Sequence, residues 1–256
     1  MLVPERHRLI RRLLSERGSI SLQEIQARLG ISAATARRDA EELSRAGLAR
    51  RIHGGLLPPD FALTEPTYSR KAEKAANLKA LLGEATARIL PEDGTIFIDA
   101  GTTCLEVGKA LLDRPRLRIF TNSISLLGLA STAKATLSSL GGELRRVSLA
   151  LTGALAQDWL ERLRFDAAVL GASGIDPEAG AYTTELGEAG VKIEALRRSR
   201  LRILVVHGEK WGRPAAVHFA PWTAFHHVVT ERSALGPDRA AALAQAKVLV
   251  HAVGAR

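Results

Sequence analysis

The chain has 256 residues, a formal net charge of +9 and one cysteine, Cys104. This length suits two domains, the basic surplus suits a polyanionic partner such as nucleic acid, and a single cysteine excludes an intrachain disulfide. No apolar run is long enough to span a bilayer, and the N-terminal MLVPERHRLIRR lacks a hydrophobic signal core, so the expectation is a soluble, cytoplasmic protein.

Pro4 to about Arg17 reads as a helix, with Ile10, Leu13 and Leu14 as its apolar stripe and Gly18 as its stop. Ser21-Leu-Gln-Glu24 is a capping box, in which hydroxyl and carboxylate satisfy amides at a helix start. Leu22, Ile25 and Leu29 share a face of the helix that follows, and Gly30 supplies a left-handed stop. Ser32 then caps a third helix, predicted to run to about Ala46 and end at Gly47. Ala36, Ala40 and Leu43 lie on its inner face; Ala34, Arg38, Glu41 and Arg45 lie opposite, flanked by Thr35 and Arg37. Basic residues in the first half of such a helix suit base edges in the major groove, and the short Gly30-Ile31 connection is that of a helix-turn-helix. Leu48 to Leu57 reads as two strands joined at His53-Gly54, a wing whose Arg50, Arg51 and His53 would meet phosphate or the minor groove. The alternative is a three-helix cap with solvated arginines.

Pro58, Pro59 and Pro66 interrupt regular structure. The expected division is a winged helix-turn-helix over residues 1–58, a linker over 59–69 and an α/β domain over 70–256. Arg70 to Leu90 reads as one long amphipathic helix. Beyond Pro91, short apolar runs alternate with helical segments, which indicates a largely parallel sheet. The strands are predicted at Thr95–Asp99, Leu117–Thr121, Ala135–Leu140, Asp166–Leu170, Leu201–Val206, His226–Thr230 and Lys247–His251. Each of their carboxyl ends leads into a loop bearing Gly, Ser, Thr, Asn or a charge, where open α/β sheets bind ligands. Gly101-Thr102-Thr103 opens a helix and suits a phosphate, Asn122 and Ser123 could join it, Lys192 and Lys210 could neutralise it, and Asp99 could accept bonds from sugar hydroxyls. Each loop alone reads better as a structural turn; the case for a ligand rests on four or five such loops at the ends of successive strands. The seven histidines lack zinc spacing, so neither a metal nor a cofactor is expected. Cys104, near a helix N-terminus, is a candidate for a lowered pKa. The three tryptophans read as core or rim packing.

Thr35-Ala-Arg-Arg-Asp39 and Gly47-Leu-Ala-Arg-Arg-Ile-His-Gly-Gly55 resemble the N-terminal motif of the DeoR family of bacterial transcriptional regulators. The resemblance continues in order through Glu65-Pro66, Arg70, Glu73-Lys74, Ile98-Asp-Ala-Gly-Thr-Thr103, Thr121-Asn-Ser123, Leu140-Gly-Gly142, Gly153, Asp166, Leu170-Gly-Ala172, Glu188-Ala189, Lys192 and Lys210-Trp-Gly212. It implies a winged-helix repressor joined to a sensor domain similar in fold to ribose-5-phosphate isomerase and the CoA transferases. It also implies a DNA operator, a phosphorylated sugar or related effector, and a homo-oligomer (dimer or tetramer). Carried over by motif, the DNA-binding candidates are Ser32, Thr35, Arg37, Arg38, Arg51 and His53. The effector-binding candidates are Asp99, Gly101, Thr102, Thr103, Asn122, Ser123, Gly171, Lys192 and Lys210. The chain departs from the pattern at His207, where the family usually has Asp, at Gly208 and Glu209, which replace small hydroxyl residues, and at Ala40, which replaces Leu. His207 raises the expectation of pH-dependent effector binding. No catalytic residue is expected; an isomerase or CoA-transferase alternative would need Asp99 and Glu185 as free carboxylates. A second alternative is a general chromosome-binding protein without a sensor.

Overall fold

A computed structural model of the protein describes residues 2–17, 20–52, 55–57, 65–213 and 215–254. The chain divides into two units, Met1–Thr64 and Glu65–Arg256. The predicted stop at Gly18, the His53-Gly54 turn and the Pro58-Pro59 break lie outside the described residues.

In the smaller unit, α1 (Val3–Arg17) is followed by β1 (Ile20–Ser21), α2 (Leu22–Leu29), α3 (Ala33–Arg45), β2 (Arg50–Ile52) and β3 (Gly55–Leu57). The capping box forms at α2: the Glu24 amide donates to Ser21 Oγ at 3.1 Å and the Ser21 amide to Glu24 Oε2 at 3.0 Å. Gly30, at φ 62°, closes α2, and Ser32 caps α3 through the Thr35 amide at 3.2 Å. Ala36, Ala40 and Leu43 are fully buried with Ile10, Ile25 and Leu56. The expectation of two paired strands is extended by β1, which pairs antiparallel with β3 to make the order β1-β3-β2. Gly55 permits that pairing, because a Cβ there would lie 2.5 Å from the Ile20 carbonyl oxygen.

The larger unit begins with α4 (Tyr68–Glu73) and α5 (Ala76–Ala87), so the single helix expected over Arg70–Leu90 is in fact two. Ala75 is left-handed, with φ 56°. In a continuous helix the Lys71 carbonyl would accept from residue 75. Here it accepts from the buried Lys79 amine, a tertiary bond that periodicity does not reveal.

The rest comprises β4 (Gly94–Ile98), α6 (Thr102–Leu111), β5 (Leu117–Thr121), α7 (Ile124–Leu127), β6 (Thr136–Ser139), β7 (Glu143–Arg145), β8 (Ala150–Thr152), α8 (Ala154–Arg162), β9 (Phe165–Leu170), β10 (Gly174–Asp176), β11 (Gly180–Thr183), α9 (Leu186–Arg197), β12 (Ser199–Val205), β13 (Val217–Ala220), β14 (His227–Glu231), α10 (Pro237–Gln245) and β15 (Leu249–Val253). Seven strands form one parallel sheet in the order β15-β14-β12-β9-β4-β5-β6. Successive residues feed opposite apolar layers, as the two-residue strand period requires. Phe97, Ala168 and Leu204 enter one layer; Ile96, Ile98, Val169 and Ile203 enter the other. The chain leaves β4 toward β5 on one side and later returns to β9 on the other, which opens a crevice at the carboxyl end of β4. Two antiparallel additions, β10-β11-β13 and the hairpin β7-β8, went unpredicted, their strands being only three or four residues long. Among the described residues no helix is long and apolar enough to cross a membrane.

Candidate functional site

In the smaller unit the outer face of α3 is the candidate nucleic-acid surface. Arg37 and Arg38 are exposed, and neither side chain bonds to another described residue, while Ala33 and Ala34 leave the first turn uncluttered. Ser32 and Thr35 are partly committed locally, with their hydroxyl oxygens 2.9 Å apart at the α3 cap. Arg51 is exposed but paired with Glu41 at 2.7 Å. Such a surface pair is worth little, so a phosphate can exchange for Glu41 at small cost. His53 lies outside the described residues.

Asp39, inside the motif that follows Thr35, has a structural task that patterning missed. It is 1% exposed and accepts from Arg6 Nε at 2.7 Å and Arg6 Nη2 at 2.8 Å, tying α1 to α3. Burial alone would raise its pKa, but Arg6 and His7 outweigh burial and hold the carboxyl below its ordinary value. Asp39 also belongs to the His7, Asp39, Glu42 trio, whose ligand atoms lie close enough together to suit a metal ion. Arg6 already takes both Asp39 oxygens, which satisfies the carboxylate without one.

In the larger unit a cleft of about 550 Å³, counting the solvent at its mouth, opens where the sheet order reverses. Gly101, Thr102 and Thr103 line it beyond β4; Gly171, Ala172 and Ser173 beyond β9; His207 and Lys210 beyond β12; and Lys192 from α9. Gly101 is the N-cap of α6, with φ 141° and no side chain to cap it, so the first-turn amides face the cleft with the positive end of the helix dipole. Glu65, Lys71, Ser148 and Glu188 also line the cleft, and motif reasoning gave none of them a role. Glu65 and Glu188 stand within the quoted motifs, but only the fold brings them to the carboxyl ends of the strands.

Several expected roles change. Asp99 and Lys192 are buried and ion-paired with each other; Asp99 also accepts from the Gly171 amide at 3.2 Å. Burial works against the Lys192 ammonium, but Asp99 and Glu188 outweigh it and raise the pKa. The pair therefore braces the β4 and β9 loops, and its two charges neutralise one another. Asn122 and Ser123 are buried outside the cleft lining. Asn122 Oδ1 accepts from the Ala100 amide at 2.8 Å, and Ser123 Oγ accepts from the Leu126 amide at 3.2 Å. Both shape the adjacent loops. Burial pushes the Cys104 thiol pKa up, the reverse of the expected lowering, because its sulfur sits in the core. Trp211 and Trp222 stack at 5.4 Å between ring centroids in the core, whereas Trp159 is exposed.

Lys210 is the cation of the cleft with no ion-pair or hydrogen-bond partner among the described side chains. Burial, then Arg213, Lys71 and Lys79, lower its pKa to about 7. His207 beside it is lowered to about 4 by burial and then by Lys210, so it is neutral near pH 7. Both carboxylates of the enzyme alternative are engaged: Asp99 with Lys192, and Glu185 at the N-terminus of α9, where it accepts from the Gly187 and Glu188 amides at 2.8 and 2.9 Å.

Comparison with known proteins matches residues 6–60 to the DeoR-like helix-turn-helix domain and residues 74–232 to the DeoR C terminal sensor domain. The chain is 32% identical over 228 residues to the Glycerol-3-phosphate regulon repressor of Escherichia coli (strain K12), covering 89% of this chain and 90% of that protein. It is 34% identical over 220 residues to the HTH-type transcriptional regulator GlpR of Haloferax volcanii, covering 86% of each. Among solved structures, ribose 5 phosphate isomerase A from Neisseria gonorrhoeae is 15% identical and overlaps 52% of each chain, with a TM-score of 0.37.

Proposed function

The chain belongs to the DeoR family of transcriptional regulators, and on that premise we propose a cytoplasmic repressor released from its operator by a small phosphomonoester. Arg37 and Arg38 read base edges from α3, Ser32 and Thr35 position its first turn, and Arg51 and His53 meet the backbone from the wing. In the sensor unit the phosphate sits on the Gly101, Thr102 and Thr103 turn with Lys210 as its counter-charge, while Gly171 lets the ligand approach beside the Asp99–Lys192 brace. Two or more subunits place recognition helices in successive major grooves.

The observation that carries this reading is Lys210, a cation with no described partner, in the same cleft as the uncapped start of α6. A half-buried charge left unpaired is costly, and an incoming phosphate supplies the missing partner. The repressor named for glycerol 3-phosphate supports that compound as the first probe. The test begins with duplexes selected from a random pool by the full-length protein. Glycerol 3-phosphate is expected to release the selected duplex, whereas glycerol leaves it bound. Duplex retention with glycerol 3-phosphate, fructose 1-phosphate and inorganic phosphate alike would sink the sensor reading. Turnover of ribose 5-phosphate by the same preparation would favour the enzyme alternative.

A further inference from the structure

We propose that the Glu65 carboxylate is a resident anion of the sensor cleft, a latch that an arriving phosphomonoester weakens by taking Lys71 from it. The inference rests on the reading of the cleft as a phosphate seat. Glu65 is the first residue of the larger unit, where its chain arrives from the DNA-reading unit. Its side chain is only 6% exposed and lines the same cleft as Lys210 and the α6 turn. Oε1 lies 2.7 Å from Lys71 Nζ. Oε2 lies 2.6 Å from Arg145 Nη1 and accepts from Thr184 Oγ1 at 2.7 Å, across 119 residues of sequence. Arg145 is itself shared with Glu188 at 3.2 Å.

The charges explain why a second anion disturbs this arrangement. Lys71 and Lys210 repel each other across the cleft, and Glu65 is the acidic group that offsets both. A dianionic phosphate beside Lys210 offers Lys71 a stronger partner and places like charge near Glu65. Glu65 then keeps Arg145, already divided with Glu188, and Thr184. The bonds holding the start of the sensor unit to β7 and to the end of β11 are thereby weakened. Ligand binding and a firmly held Glu65 oppose one another, which is the differential interaction that coupling between two states requires.

The test uses the full-length protein, its selected duplex and glycerol 3-phosphate as the probe. Glu65→Gln keeps the shape and can still accept from Thr184 but loses the charge. It is expected to bind glycerol 3-phosphate at least about fivefold more tightly by calorimetry, and to hold the duplex more weakly without ligand. Thr184→Val loosens the latch from outside the cleft lining, so it should release the duplex at a lower dose of the probe. Wild-type affinity and release dose in Thr184→Val, or unchanged or weaker probe binding in Glu65→Gln, overturns the latch. Should Glu65→Gln fail to fold, Thr184→Val decides alone. A wild-type protein that binds neither glycerol 3-phosphate nor inorganic phosphate overturns the seat and the latch together. Wild-type binding and release with two inert variants overturns the latch and spares the seat.

Discussion

The Lys210 amine, lowered to about 7, changes charge within the range in which a cell works. In the proposed seat the protonated form attracts phosphate, so affinity is present well below pH 7 and falls as pH rises through it. A phosphomonoester, with its second pKa near 6, stays largely dianionic over that range. Calorimetry with glycerol 3-phosphate should therefore show affinity dropping toward tenfold per pH unit between about 7.5 and 8.5. Lys210→Met should abolish the slope; a slope that survives would assign the titration to another group. His207, at about 4, stays neutral from pH 6 upward, so the pH dependence that its position in the motif suggested passes to Lys210. On the DNA side, Arg38→Ala should cost about 1–3 kcal/mol of discrimination at particular base pairs. An unaltered sequence preference across selected duplexes would remove Arg38 from base readout.

Between residues and the whole, the elements show where patterning works and where it stops. Ser21 with Glu24, Gly30 and Ser32 are local signals, and α2 and α3 start and stop within a residue or two of them. β1 has no periodicity to read because it is two residues long; its existence depends on β3 arriving beside it. Gly55→Ala places a methyl against the Ile20 carbonyl and should destabilise the smaller unit by about 1–3 kcal/mol in thermal unfolding. Wild-type stability there would mean that the strand edge shifts freely. Likewise, Arg70 to Leu90 contains no proline to announce the break at Ala75. The amphipathic pattern continues through it, and the Lys79 bond to Lys71 is what accommodates the turn.

At the scale of the whole molecule, the smaller unit has its own apolar core and the larger has two, one on each face of the sheet. Calorimetry is expected to resolve two unfolding transitions, with glycerol 3-phosphate raising only that of the sensor unit. At 100 times its dissociation constant the ligand adds about 2.7 kcal/mol to that unit. A single transition raised as a block would mean that the units unfold together.

The sequence by itself determined the helix-turn-helix, the order of the parallel strands' segments and the Gly101-Thr102-Thr103 turn, because caps, glycine stops and apolar periodicity act over a few residues. It also placed Arg38 on the outer face of α3, with Arg37 on its flank, by helical spacing alone. Tertiary structure decided which charges are free. Asp99 and Lys192 look like ligand groups in their motifs, yet 93 residues apart they neutralise each other. Arg6 and Asp39 do the same across 33 residues. Glu65 gains its place in the cleft from Lys71, Arg145 and Thr184, the last two far along the chain. The physical reason is range: hydrogen bonds along a helix or strand repeat in the sequence, whereas the partner of a buried charge is set by which loops the sheet order brings together.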